Sequence, residues 1–484
     1  MAAIRTTIAL LLVLGTGVTL ASCAPAPTDQ ELGQMCERLR VLRGEPEDEA
    51  AVARCVADSE REGVSQRQAR CRISAVNKSE YWNRCSTGEP RQPQPAPKLE
   101  KAPATKLVDE EIERLRALGY VSGSEPPREG KAGVTVHDPA RTTPGLNVVV
   151  SGHGHEASLM NAAGEILHTW RKPIDEALTE GLNHATHMRR AIPFPNGDVV
   201  IVYATADGLV KLDRCSNVLW SAPNQAHHDL QLQPGGEIYT LVRTAHVRPD
   251  IDPATPVLED YVAVLGRDGK ELRRVSLLDA LKESEFRAHW EGRKQRIGDV
   301  FHTNSVDVLR GEPVDGETLF IPGRVLVSIL HLDMVALLDM ESERFVWVHQ
   351  GSFDAQHDAQ VLAGGRLLMF DNQGLGKASR ALELKLPSGE IAWEYRGDRD
   401  HPFYSNTRGR VQRFANGNTL ITETDSGRAF EVTRGGEIVW EYFNPERVGG
   451  SKQLVAALLD VSRLPPDFPT DWIGPCSAID RPQR

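Results

Sequence analysis

The sequence of 484 residues predicts an all-β chain, a six-bladed β-propeller preceded by a small disulfide-stapled helical module. Three observations carry this. A strand-turn-strand phrase recurs six times, at Ala157–Trp170, Gly208–Trp220, Val262–Val275, Val335–Trp347, Arg380–Trp393 and Arg428–Trp440, and five of the copies end in tryptophan. A second hairpin with a glycine turn precedes most copies, as in Ile192-Pro-Phe-Pro-Asn-Gly-Asp-Val, Leu232-Gln-Pro-Gly-Gly-Glu-Ile, Val361-Leu-Ala-Gly-Gly-Arg-Leu and Phe414-Ala-Asn-Gly-Asn-Thr-Leu. Four of the seven cysteines, Cys36, Cys55, Cys71 and Cys85, fall in a charged, helix-like stretch near the N-terminus that is too short to bury a good core.

Self-similarity at about 40 residues, with longer insertions, marks a solenoid or a propeller. Each copy places aliphatic and β-branched residues on both sides of an Ala-Gly, Asp-Gly, Ser-Gly or Gly-Gly turn, which is a hairpin signature. Two hairpins make a four-stranded blade, and six blades close around an axis. On this reading the chain from Leu146 to Phe443 supplies all six blades. A β-sandwich offers no reason to repeat one phrase six times.

Histidine stands where the innermost strand should begin in four consecutive blades: His187, the pair His227 and His228, His302, and His357. Inner strands run side by side along a propeller's channel, so matching positions converge at its mouth. A lone loop histidine is ordinarily a hydrogen-bonded structural residue. Four equivalent positions among only 15 histidines instead mark a functional ring. Such a ring suits group transfer: one neutral imidazole is a nucleophile near pH 7, and another sharing its cavity holds a proton.

The phrases His228-Asp-Leu-Gln, His302-Thr-Asn-Ser-Val-Asp, Gln356-His357-Asp-Ala-Gln followed by Met369-Phe-Asp-Asn372, and the Gly-Glu-Ile-x-Trp-Glu-Tyr ends of the last two blades resemble the bacterial arylsulfate sulfotransferases, six-bladed propellers of the bacterial envelope. The resemblance implies an enzyme that moves a sulfuryl group from an aryl sulfate to a phenol through a sulfated histidine, without an adenylylated sulfate donor. By match of motif, His357 is the expected nucleophile, with His302, His227 and His228 as catalytic neighbours. His187, His331, Arg380 and Arg428 are the expected substrate-binding residues, and neither cofactor nor metal is implied.

One departure stands out. The family places an arginine in a Ser-x-Arg phrase after the histidine of the fourth blade, and this chain has Ser328-Ile-Leu330 followed by His331. Losing a bidentate cation from an oxyanion site costs on the order of 3 kcal/mol of transition-state stabilisation. Three outcomes stay open: His331 takes its place; another arginine such as Arg380, Arg408 or Arg428 reaches the pocket; or transfer is lost, leaving a non-catalytic binding propeller of the envelope. Arg189 and Arg190 beside His187 are further candidates for local positive charge. Two other readings are a quinoprotein-like propeller, which shares the Gly-Glu-x-x-Trp ending, and metal-assisted hydrolysis with Asp229 or Asp358 as ligands.

At the N-terminus, Arg5, an apolar run from Ile8 to Leu20 and then Ala21-Ser22-Cys23 match a lipoprotein leader covering residues 1–22, with Cys23 lipidated. Ala24 after it leans towards the outer membrane, facing periplasm or cell surface, with the membrane met only through that lipid. A plain secretory peptide is the alternative. The six remaining cysteines suit disulfides in an oxidising compartment. Two bridges are expected among Cys36, Cys55, Cys71 and Cys85 in the module over 28–86, with no pairing decided, and a third between Cys215 and Cys476 would pin the C-terminal segment back on blade two. Residues 87–140 read as a proline-rich linker with an amphipathic helix from Leu107 to Tyr120, and 141–484 as the propeller. A net charge of −11 argues against nucleic acid as a partner. Small-molecule aryl sulfate and phenol are the implied partners, and homo-oligomerisation is left open.

Overall fold

In the computed structural model, the described residues are 125–172, 187–203, 208–292, 297–311, 319–351, 353–376, 378–448 and 454–476, together with Leu32, Cys36, Cys55 and Val56. The leader, Cys23, Cys71, Cys85, the proline-rich linker and the helix expected over 107–120 lie outside them. In the N-terminal module Cys36 is bonded to Cys55. Among the described residues no helix is long and apolar enough to cross a membrane.

Six antiparallel sheets form the blades. Blade two runs outward through Met188–Pro193, Val199–Tyr203, Leu209–Leu212 and Val218–Ala222; blade three through Ala226–Leu232, Ile238–Val247, Pro256–Leu265 and Glu271–Ser276. Blade four is Thr303–Val308, Val325–Ile329, Met334–Asp339 and Arg344–Gln350, and blade five is His357–Leu362, Arg366–Asp371, Arg380–Lys385 and Glu390–Tyr395. The six inner strands touch one another in a closed ring.

The ring closes differently from the expectation that Leu146–Phe443 holds every blade. Blade one takes its inner strand from the C-terminal segment, Leu458–Arg463, which pairs with Asn147–Ser151 ahead of Glu156–Met160 and Ile166–Arg171. Blade six, Arg410–Arg413, Thr419–Glu423, Arg428–Val432 and Ile438–Phe443, gains a fifth, outer strand in Gly133–His137, a segment inside the expected linker. Neither segment carries the repeated phrase, so self-similarity does not reveal them.

Second strands such as Val199–Tyr203 and Val325–Ile329 are buried throughout, because neighbouring blades cover both faces. Their near-continuous aliphatic runs follow from that. Outer strands expose most positions, as in Glu271–Ser276. Each adjacent pair of blades shares an apolar cluster, for example Val200, Leu209, Ile238 and Ala263 between blades two and three.

The tryptophans of the repeat dock blade to blade. Trp170, Trp220, Trp393 and Trp440 each donate Nε1–H to a turn carbonyl of the following blade, at Gly197, Arg267, Arg434 and Ala162, over 2.8–2.9 Å. Blade six thus reaches round to blade one.

Cys215, in the outer turn of blade two, is bonded to Cys476, and Trp472 packs on Trp170 with ring centroids 5.8 Å apart. The bridge pins the tail that follows the closing strand. Cys215→Ser is expected to destabilise the propeller by about 2–5 kcal/mol, read as a lower midpoint in urea. An unchanged midpoint would show that strand pairing alone holds the closure.

Candidate active site

Four blades present histidine at the same mouth of the channel, and a local backbone device turns the rings inward. The inner-strand ladder slips at each: between Met188 and Arg190, across His227 to Leu230, between Thr303 and Ser305, and between His357 and Gln360. Bulges re-aim side chains in this way. The backbone is left-handed at His228 (φ 57°), His302 (φ 50°), Asp358 (φ 52°) and Arg408 (φ 61°). Each such non-glycine residue costs about 1–3 kcal/mol, and such clusters occur where function holds them.

The result is a cavity of about 220 Å³ lined by His187, Arg189, His228, His302, Leu330 and His357, with Ala355, Gln373, Asn406, Thr407 and Arg408 completing it. The structure therefore brings His187, His228, His302 and His357 together. His227 sits behind His228, Nδ1 to Nδ1 at 2.7 Å, and is fully buried. His331 does not line the cavity; its ring lies 5.2 Å from that of His302. Arg380 and Arg428, expected in the pocket, are not there. Arg380 is held by Asp371 and Glu394 at 2.7 and 3.0 Å, and Arg428 by Glu423 and Glu441 at 3.1 and 2.6 Å, as buried ion pairs within their blades. Their matching places in the repeat reflect blade architecture. Leu330 does face the cavity, and the cations beside it are Arg189 and Arg408.

The hydrogen bonds assign tautomers. Nδ1 of His357 lies 2.9 Å from Asn372 Oδ1 and 3.0 Å from the Ala355 carbonyl. The Asn372 amide nitrogen is committed to the carbonyls of Ser405 and Arg408, which fixes Oδ1 as the atom facing the ring. Nδ1 of His357 therefore carries the proton, and the lone pair is on Nε2. Burial, then the charge of Arg189, pushes this imidazole down to about 3 against the opposing bond from Asn372, so it is neutral at pH 7. Burial and then Arg408 and Arg189 depress His187 to about 3, and burial with neighbouring His227 takes His228 well below its ordinary value. Burial and Arg243 lower His227 to about 4.

Charged residues of the same inner strands, Arg190, Asp229, Asp358 and Arg410, line a separate cavity of about 420 Å³. Arg190 pairs with Asp229, and Arg410 lies 3.0 Å from Asp460 and 3.2 Å from Asp358. Asp229 also accepts the amides of Leu230 and Val306, and Asp358 that of Val411. Both carboxylates are thus committed to cations and backbone, which leaves them poorly suited as metal ligands. Among the described residues, one group is close enough to hold an ion: Asp299, His302 and His331.

Sequence reasoning missed Asp260, Arg243 and Asp299, which carry no motif. Asn372 ends the Met369-Phe-Asp-Asn372 phrase, but its role appears only when Ser405 and Arg408 are folded against it.

A propeller that gathers four histidines, three of them kept neutral by burial, and two arginines in one cavity defines a class suited to anionic group transfer. The family comparison agrees: the arylsulfotransferase (ASST) model matches residues 192–445, more than half of the chain, and the chain belongs to that family. No curated protein matches it. Solved structures similar to it include a protein of unknown function from Bacteroides caccae (14% identity, TM-score 0.39, covering 62% of this chain and 94% of that one). A streptogramin B lyase (12%, 0.38, 70% and 94%) and the virginiamycin B lyase of Staphylococcus aureus, crystallised in a catalytically inactive form with quinupristin (13%, 0.37, 66% and 88%), are similar too. Likeness at that level says nothing about activity.

Proposed function

We propose that this protein transfers a sulfuryl group from an aryl sulfate to a phenol through a sulfated His357. The observation that carries the reading is the Asn372 bond, which leaves Nε2 of a neutral, buried imidazole as the lone pair available to the cavity. In the first half-reaction Nε2 bonds to sulfur as the sulfur–oxygen bond to the aryl group breaks, and a protonated His302 gives its Nε2 proton to the departing phenolate. In the second, the acceptor phenol returns a proton to His302 as its oxygen attacks sulfur and the nitrogen–sulfur bond breaks. Protons balance over the cycle. Arg189 and Arg408 supply the positive charge that the sulfuryl oxygens need where Leu330 provides none.

The test is incubation of the purified protein with 4-nitrophenyl sulfate. Without acceptor the protein is expected to gain the mass of one SO₃, discharged on adding phenol, and nitrophenolate release is expected to depend on phenol. Leu330 favours a second reading, a binding propeller; a folded protein that neither gains mass nor releases phenolate across a panel of donors would establish it. Anchoring in the cell envelope through Cys23 belongs to the same proposal and rests on the leader sequence alone.

A further inference from the structure

We infer that Asp299 is the positioning residue that makes His302 the proton carrier of both half-reactions, an inference that rests on the sulfuryl-transfer reading. Asp299 comes from the insertion between blades three and four, a pair of short helices, Leu277–Lys282 and Arg287–Glu291, followed by Gly298–Asp299. That dipeptide pairs in parallel with Val257 and Leu258 of the long blade-three hairpin, which fixes the height at which the carboxylate enters.

The single carboxylate grips one residue twice. Oδ1 accepts the backbone N–H of His302 at 3.1 Å, and Oδ2 lies 2.5 Å from its Nδ1. The first bond supports the left-handed backbone of His302; the second puts a proton on Nδ1 and leaves Nε2 to exchange protons in the cavity. The carbonyl of Asp299 also receives Nδ1–H of His331 at 2.7 Å, which seats that ring against His302. Arg243 stands behind, its Nη1 3.7 Å from Asp299 and its Nε 3.1 Å from Asp260. Asp299 is almost fully buried, yet Arg243 and then His302 outweigh that burial and keep it ionised.

The contrast with His357 separates the roles. The Nδ1 partner of His357 is a neutral amide, which holds the ring without favouring a second proton. The partner of His302 is a carboxylate, which stabilises the imidazolium formed when Nε2 is protonated. Two imidazoles at one cavity, one amide-bound and one carboxylate-bound, divide into nucleophile and acid. The direct carboxylate–imidazole bond also favours a dyad over a metal site at Asp299, His302 and His331, because Nδ1 and Oδ2 are already spent on each other and a guanidinium adjoins them.

The experiment uses the full chain and its Asp299→Asn variant, comparing kcat/KM for 4-nitrophenyl sulfate and for phenyl sulfate with 4-methylphenol as acceptor. A good leaving group needs little help from an acid and a poor one needs much. Asp299→Asn is expected to slow phenyl sulfate by about 10²–10³-fold, and 4-nitrophenyl sulfate by less than about 10-fold. The double variant with His302→Gln is expected to be no slower than His302→Gln alone. Equal losses for the two donors, or additive losses in the double variant, would reduce Asp299 to a structural part and overturn the inference. So would one equivalent of zinc that survives dialysis against a chelator in the wild type and is lost in Asp299→Asn. Should that variant fail to fold, Asp299→Glu is put through the same donor comparison, with the same selective loss expected. A folded wild type inert towards both donors would instead remove the sulfuryl-transfer reading itself.

Discussion

Replacing His357 by alanine is expected to lower sulfuryl transfer by about 10⁴-fold or more and to abolish the SO₃ adduct, while the propeller stays folded. The size of the effect follows from the covalent step: without Nε2 there is no atom for sulfur to bond, and the remaining cations and the proton carrier have nothing to assist. The fold should survive because the ring sits at the cavity wall, outside the clusters between blades. Its loss leaves Asn372 Oδ1 without the ring proton, at a cost of about 1–3 kcal/mol. The vacated space also admits added imidazole, and partial rescue by it would identify the missing group as the nucleophile. Retention of a tenth of wild-type turnover, or an adduct that persists, would assign sulfuryl transfer to another side chain.

The second large effect is on stability in mild acid. His187, His227 and His357 are buried neutral, with values pushed down to about 3, about 4 and about 3 from an ordinary 6.5. Above pH 6.5 both folded and unfolded chains leave these rings unprotonated, and they contribute no pH dependence. Between pH 6.5 and about 4 the unfolded chain binds three protons that the folded chain refuses, so stability falls as pH falls, by up to about 4 kcal/mol per pH unit. His228 steepens the fall. Asp460 and Glu423, whose buried carboxyls are raised, act the other way and offset part of it. Thermal melts are expected to be flat above pH 7 and to drop steeply from pH 6 to 4.5, with a shallower drop in His187→Gln. A midpoint unchanged down to pH 5 would mean that these rings take up protons in the folded state.

The repeated phrase made the blades legible because every blade repeats the same hairpin and five of the six end it in tryptophan. The histidine ring was legible for a related reason: equivalent positions in a repeat become neighbours in a closed circle. What the sequence concealed lies off the repeat. Leu458–Arg463 has no phrase of its own and acquires its place only by pairing with Asn147–Ser151. Asp299 sits in an insertion, and Asp260 on a hairpin strand whose register alone brings it beneath His227, 3.5 Å from Nε2. Arg380 and Arg428 were misjudged because a repeated arginine signals a repeated structural need, here an ion pair inside each blade. Arg408 escaped preference over them because a pocket cation on an irregular loop has no periodicity to betray it.

The closing strand has a consequence in time as well as in space. Asp460, which it carries, pairs with Arg410, and Trp440 must find Ala162 across the seam where first and last blades meet. A growing chain can assemble blades two to five as they appear, but until Leu458–Arg463 is available the seam is open and Arg410 lacks one of its acids. Closure of the ring therefore waits for the C-terminal segment. A chain interrupted between Arg408 and Leu458 would contain every residue that lines the histidine cavity and still lack the strand that closes the propeller around it.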